Sequence, residues 1–424
     1  MKKITIFFIA FLFLFISVCT VRASYNSADY RVGVDYYSTS YSEADVFIGQ
    51  YNQPAVRTLV LSQLQDMANA GVKAIKTPIW LTGPGQGQTN LNRNFPLSTQ
   101  ELENISQYAT DVSLIRGKDG NYLDLYLGFG WLNCADYHYA PCGGGWDSYI
   151  VPNAEKTFDD FFATIGNLTR PDGKKAVSLA YAEGEVIIGN WDSGAVIKPN
   201  TDKFLTILYP YFISDANKYG ITPSIYFIIQ GPESKILNNS YKNTAYPAIN
   251  NHASLDYIYP TTEFMRKNNI PIPTRLDMSI YVDASSSGYT TLINRVMDDL
   301  KAVYPNNDIG VAETYYFQDP VMRRQMGQAF ANRFLTQGEP KEIFFWPGAD
   351  INGGSAVFQW PYDIASYLPA TPGDLNVDGK VDINDYSILM GNFGKTGTGV
   401  VGDIDANGKV DVFDYNILVG NFGK

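Results

Sequence analysis

Cysteine and histidine are scarce. The 424-residue chain carries three cysteines and two histidines, His138 and His252. A zinc site of three histidines is therefore impossible, and a four-thiolate metal centre or a disulfide-dense scaffold is excluded as well. Charged residues make up only 18% of the chain, and acid prevails among them, with a net charge of −11. That balance argues against the basic footprint of a nucleic-acid binder. No strand–GxGxxG–helix unit occurs; GPGQGQ (83–88) has glycines without that spacing and reads as a loop. The longest apolar run, Ile4 to Val18, is about 15 residues, short of the roughly 20 that span a bilayer.

That run lies in the layout of a secretory signal. Lys2 and Lys3 precede it, and Val21-Arg22-Ala23-Ser24 ends in small residues. Residues 1–24 are therefore expected to be a cleaved signal peptide, with an uncleaved anchor as the alternative. Val18 before Cys19 is larger than a lipoprotein site usually carries. In an exported chain Cys134 and Cys142 are expected to form a disulfide; two free thiols are the alternative, and either way they read as structural. Aromatic residues reach 14%, 30 of them tyrosine. A flat face with a polar tip suits sugar rings and large cores alike.

From Arg31 to Ala370, short β-rich runs alternate with helical patterns. The strand candidates are RVGVDYY (31–37), KAIKTPIW (73–80), YLDLYLGFG (122–130), AVSLAYAE (176–183), PSIYFIIQG (223–231), TRLDMSIYV (274–282), DIGVAETY (308–315) and EIFFWPG (342–348). Helical spacing marks 56–71, 97–112, 291–304 and 321–338. Eight strands, each followed by a helical segment, predict an α/β fold of the (β/α)8 TIM-barrel class over 25–368, with an open doubly wound sheet as runner-up. The long connections 84–96, 131–157, 186–203 and 232–250 follow strand ends, so they would form the C-terminal face, where barrel active sites sit. A Pro-containing linker, 369–373, leads into a different segment.

That segment repeats itself. GDLNVDGKVDINDYSILMGNFGK (373–395) recurs as GDIDANGKVDVFDYNILVGNFGK (402–424). Oxygen donors fall at loop positions 1, 3, 5, 9 and 12: Asp374, Asn376, Asp378, Asp382 and Asp385, then Asp403, Asp405, Asn407, Asp411 and Asp414. Gly379 and Gly408 hold the sharp turn. The backbone carbonyls of Lys380 and Lys409 supply position 7, which completes an oxygen shell of the size that Ca²⁺ needs. Two solvated acidic turns are the bland alternative. Asp at position 12 and a single following helix separate the pattern from a full EF-hand. Residues 374–424 resemble a type I dockerin, a small all-α domain. The resemblance implies two bound Ca²⁺ and docking onto a cohesin module of a scaffold or cell-surface protein. Positions 10 and 11, which choose the partner in that family, are Ile383-Asn384 and Val412-Phe413, unlike its common small hydroxyl pairs.

Glutamates close two of the strand candidates. The fourth ends in Tyr181-Ala182-Glu183-Gly184-Glu185 and the seventh in Val311-Ala312-Glu313-Thr314. Two carboxyl groups about 5 Å apart are what retaining cleavage of a glycosidic bond requires. Loop carboxylates in salt bridges are the alternative. Acids at the ends of strands four and seven are similar to the arrangement in clan A glycoside hydrolases, and Ala70 to Trp80 resembles the second-strand motif of their cellulase-like members. The resemblance implies Glu313 as nucleophile and Glu183 as acid/base. Period-two alternation puts Glu185 on the same face, so it stays open as the second choice for the acid. The resemblance also implies Tyr281 as a partner of the nucleophile and Trp346 as a sugar platform. Trp80, Trp131, Trp191 and Trp346 lie at or just beyond strand ends and, with Lys76, are candidate sugar contacts; buried packing is the alternative for each Trp. Three departures stand out: Lys76 where the family has Arg, Ala182 where it has Asn, and Ser279 where it often has His. Asp277 and Asp283 read first as salt-bridge or loop acids, His138 as a surface residue and His252 as structural.

The sequence thus predicts a secreted glycoside hydrolase acting on a polysaccharide or oligosaccharide, with no cofactor for catalysis and a Ca²⁺-bearing tether. A barrel that binds carbohydrate without cutting it, or an enzyme of another class, remains the competing expectation.

Overall fold

The computed structural model describes residues 25–36, 48–80, 95–130, 146–184, 186–188, 201–283, 288–315, 317, 319–346, 364–368, 370–376, 380–397, 400–405 and 407–424. The predicted signal segment, Cys134, Cys142, Trp131, His138, Glu185, Trp191 and Asp378 lie outside them, as do the side chains of Trp80 and Asp283.

Nine strands form one sheet: β1 Arg31–Asp35, β2 Ala74–Trp80, β3 Asp124–Gly130, β4 Val177–Tyr181, β5 Thr222–Ser224, β6 Tyr226–Pro232, β7 Arg275–Asp283, β8 Asp308–Thr314 and β9 Glu342–Phe345. They run in the order β5-β4-β3-β2-β1-β9-β8-β7-β6, and every pairing is parallel. The two ends of that order, β5 and β6, are separated by Ile225 alone. They are the halves of one run, the first pairing with β4 and the second with β7. The sheet therefore closes on itself as an α/β barrel of eight strand runs. All eight predicted runs are present, with ends shifted by a few residues.

Because both faces of a closed parallel sheet are covered, its strands read as nearly continuous apolar runs. Outward residues such as Val32, Val34, Ile75, Leu125, Met278 and Val311 meet the helices in the main core. The longer helices are α1 Pro54–Ala70, α2 Thr99–Val112, α3 Val151–Ile165, α4 Tyr209–Tyr219, α5 Ile258–Lys267, α6 Gly288–Val303 and α7 Pro320–Gln337. Proline in the first turn starts α1, α3 and α4, where its missing N–H costs nothing, and a Ser98–Glu101 capping box starts α2. The run 131–157, expected to be a connection, is helical from Trp146 onward, because Trp146, Ile150, Ala154, Phe158 and Phe161 recur at helical spacing and are buried. Phe158, Phe161, Phe162 and Phe212 are fully enclosed, each worth about 1.5–3 kcal/mol of burial. No helix among the described residues is long and apolar enough to cross a membrane.

Inside the ring, Ala74, Tyr126, Leu179, Tyr181, Ala312 and Phe344 form a second core. Gly33 is forced here: a Cβ would lie 2.5 Å from the Phe344 ring. Below it, at the N-terminal end of the barrel, an ion network closes the floor. Glu342 accepts from Tyr126 at 2.8 Å and from Arg275 at 2.8 Å, and Arg31 lies 3.3 Å away. Burial pushes the Glu342 carboxyl up, but Arg31 and Arg275 outweigh it and hold it below the usual range. Asp277 is fully buried against Arg275 at 2.6 Å, and burial holds its carboxyl above the ordinary value despite that partner. It belongs to this floor, as a salt-bridge acid.

The C-terminal repeats each give one helix, α8 Ile383–Asn392 and α9 Val412–Asn421. They exchange hydrogen bonds reciprocally: Gly394 N and Lys395 O pair with Val410, and Gly423 N and Lys424 O pair with Val381. Val381, Leu389, Val410 and Leu418 are the buried centre between them. The Arg324 guanidinium of α7 donates to the Asn376 carbonyl at 2.6 Å, linking barrel and repeats.

Candidate active site

Asp35 and Glu313, near the C-terminal ends of β1 and β8, meet Lys76 and Ser279, from within β2 and β7, in one cluster of polar and charged groups. Asp35 closes β1 and is in register with Lys76 of β2. Lys76 Nζ lies 2.9 Å from Asp35 and 3.7 Å from Glu313, with both Lys76 and Asp35 side chains about 3% exposed. Ser279 Oγ of β7 donates to the same Glu313 oxygen at 3.1 Å. The ammonium also stands 4.4 Å from the centre of the Tyr226 ring, a cation–π contact strengthened by exclusion of water.

Regular alternation alone would not bring Glu313 there. Val311 faces the helices and Ala312 faces the barrel interior, so Glu313 should face the helices again. The register, however, shifts: Met278 pairs with Val311, but Ser279 pairs with Glu313, leaving Ala312 as an extra residue in β8. This bulge aims Ala312 and Glu313 inward in succession and turns Thr314 outward, where its hydroxyl donates to Ile280 O at 3.0 Å and contacts Met326 of α7.

Glu183 follows β4 by two residues. Leu179 and Tyr181 face the interior while Ala180 and Ala182 face the helices, so Glu183 has inward parity. It is 1% exposed, and one carboxylate oxygen accepts from Gly184 N at 3.0 Å. Gly184 must be glycine: a Cβ would meet the Tyr226 hydroxyl at 2.2 Å. Tyr226 thus runs from the neighbourhood of Glu183 to Lys76, which in turn reaches Glu313. The two glutamates close runs three apart in the ring of eight, and the Tyr226 N–H donates to the Glu183 carbonyl at 3.4 Å.

Of the other expected sugar contacts, Tyr281 shares the inward face of β7 with Ser279 and is half-buried, with an edge-to-face contact to Tyr315 at 4.7 Å. Trp346, directly after β9, is half-buried; its backbone N–H donates to Thr314 O at 2.7 Å and the residue bridges Tyr315. His252 is engaged elsewhere, its Nδ1 2.8 Å from Asp299. Asp35 and Tyr226 were not singled out by sequence. The available signal is an Asp that closes a buried apolar strand.

The chain matches no family model and no curated protein. Among solved structures it is similar to a GH5_18 from Bifidobacterium longum subsp. infantis, at 11% identity and TM-score 0.45, covering 80% of this chain and 74% of that one. A GH5_18 from Streptomyces cattleya in complex with GlcNAc gives 9% and 0.44, over 79% and 75%. A structure of fungal β-1,4-galactanases gives 14% and 0.43, over 77% and 92%.

In the C-terminal segment, carboxylate oxygens of Asp403, Asp405 and Asp414 lie within 4.8 Å of one another. Burial first, then repulsion from Asp414 and Asp405, raises the Asp403 carboxyl despite N–H donors from Gly408 and Asn407. Like charges gathered this closely suit a divalent cation. The same acids also serve the helices. Asp382 and Asp411 are N-caps, and Asp385 and Asp414 complete their capping boxes. Asp374 and Asp385 are buried, and Asp385 accepts from Leu375 N and Asn376 N.

Proposed function

We propose that the protein is a secreted glycoside hydrolase that cleaves O-glycosidic bonds of a polysaccharide with retention, tethered through a Ca²⁺-binding dockerin-like tail. The observation that carries the catalytic half is the pair of inward, buried glutamates, Glu183 and Glu313, at the C-terminal ends of runs four and seven of one barrel. Glu313 attacks the anomeric carbon as the carbon–oxygen bond to the leaving group breaks, and Glu183 gives its proton to that leaving oxygen. Glu183 then takes a proton from water as the water displaces Glu313 from the sugar. Ser279 and Lys76 orient the nucleophile, and Tyr281 and Trp346 offer aromatic faces to the sugar.

In the tail, Ca²⁺ would be held by Asp403, Asp405, Asn407, Asp411, Asp414 and the Lys409 carbonyl, and in the first repeat by the corresponding set around Asp374, Asn376, Asp382, Asp385 and the Lys380 carbonyl. The ion neutralises carboxylates that otherwise repel. A cohesin-bearing scaffold or surface protein is the proposed partner, and residues 1–24 the proposed export signal.

Reducing-sugar release from a panel of plant and microbial glycans tests the reaction. With a substrate in hand, Glu313→Gln is expected to lose at least about 10³-fold in kcat while still binding the glycan. Full activity in that variant would refute the assignment. Glycan binding by the wild type with no release from any substrate would mark a non-catalytic carbohydrate binder.

A further inference from the structure

At the opposite end of the barrel from the glutamates, a cavity of about 360 Å³ opens below the ion network. Its wall holds Arg31, Arg275, Lys174 and Lys175 but a single carboxylate, Asp124. Glu342 and Asp277, behind the wall, and Asp124, in it, offset three of these four positive charges, which leaves one in surplus in a chain whose net charge is −11.

The backbone is also shaped toward this space. Leu125 pairs with Val177 but Tyr126 pairs with Leu179, so Ser178 is an extra residue in β4. Val177 faces the helices and Leu179 the interior; the bulge places Ser178 in the cavity wall. Bulges in parallel sheets are uncommon, and another among the described residues aims Glu313. Ser178 Oγ is enclosed and has no hydrogen-bond partner, although a buried hydroxyl left unmatched costs about 1–3 kcal/mol. A buried donor, flanking cations and room for a molecule the size of a monosaccharide together describe an oxyanion pocket.

We propose that this cavity binds a small molecule bearing a carboxylate, phosphate or sulfate group, with Ser178 donating to the anionic oxygen and Lys174 and Lys175 supplying charge. The site is independent of the reaction assigned to the glutamates. Calorimetric titration of the full chain with sulfate and, separately, with glucuronate, at constant ionic strength and saturating calcium, tests it. Saturable one-site binding of either anion is expected, weakened about 3- to 10-fold in Ser178→Ala and more in the Lys174→Ala/Lys175→Ala pair. Preference for glucuronate assigns the pocket to carboxylates, and preference for sulfate to tetrahedral oxyanions. Absence of binding by both, equal displacement by chloride, or affinity unchanged in both variants overturns the proposal.

Discussion

Lys76 holds a position that few lysines occupy, enclosed between two acids at 2.9 and 3.7 Å and an aromatic face. Its ammonium is what makes the burial of Asp35 and Glu313 tolerable. Lys76→Met keeps the stem but removes the charge, and breaking a buried ion pair costs about 3–5 kcal/mol because the carboxylates stay enclosed. A denaturant midpoint equal to wild type would contradict this account. Arg cannot replace it freely, since a planar fork needs space that the Tyr226 ring fills. A second acid is expected to act in the opposite sense. Asp215 of α4 lies beside Asp159 of α3, and burial, then that neighbour, raises its carboxyl to about 6. Unfolded, it titrates near about 3.9. The folded state therefore holds this proton more tightly; the benefit is complete below about pH 4 and is lost as pH rises through about 6. Asp215→Asn should then stabilise the protein by about 1 kcal/mol at pH 8, once solvent screening is allowed for, and by nothing at pH 4. Thermal unfolding at the two pH values checks the sign, and an equal shift at both would reject it.

At the scale of elements, the bulge in β8 decides which side chain reaches the site. Deleting Ala312 removes the extra residue but keeps the parity, with Val311 outward, Glu313 inward and Thr314 outward. The variant is expected to melt lower, because the interior loses the Ala312 methyl group, while any glycosidase activity falls without vanishing. Complete loss of activity in a variant that still folds would show that the bulge sets the position of Glu313 and not its parity alone. This dependence explains what the sequence made legible. Strands such as 308–315 and 342–348 stand out because both faces are covered, and Glu183 follows from alternation after β4. A bulge adds one residue without changing composition or pattern, so neither Ala312 nor Ser178 announces it. The break of the fifth run at Ile225 is hidden for the same reason: TPSIYFIIQGP is uncharged throughout, and only closure of the ring makes its two halves pair with different neighbours. Asp35 carries no signal of its own, because an acid ending a strand is ordinary until its register with Lys76 is known. The start of α3 was hidden by Pro152, a breaker elsewhere but compatible with a first helical turn.

Across the whole molecule, two cores of unequal strength share one chain. The barrel has its own extensive buried layers, inside and outside the ring. The C-terminal helices have four fully buried apolar side chains between them. A unit that small rarely folds on apolar burial alone and usually needs a metal or another staple. Capping boxes fix the start of α8 and α9, worth about 1 kcal/mol for each cap, but they leave Asp403, Asp405 and Asp414 in mutual repulsion. A bound divalent cation reverses that repulsion, and its binding energy then becomes folding energy for the tail. Calorimetry should therefore show two transitions, of which the smaller moves up with calcium, by RT ln(1 + [L]/Kd) in free energy, and disappears in chelator. The barrel transition should stay where it is, because the contact between the units is narrow at Arg324 and Asn376. Asp414→Asn should abolish the calcium response of the second repeat while leaving the barrel transition in place. A single transition that ignores both calcium and chelator would mean that the acids serve only as helix caps, and the metal would have to be withdrawn from the tail.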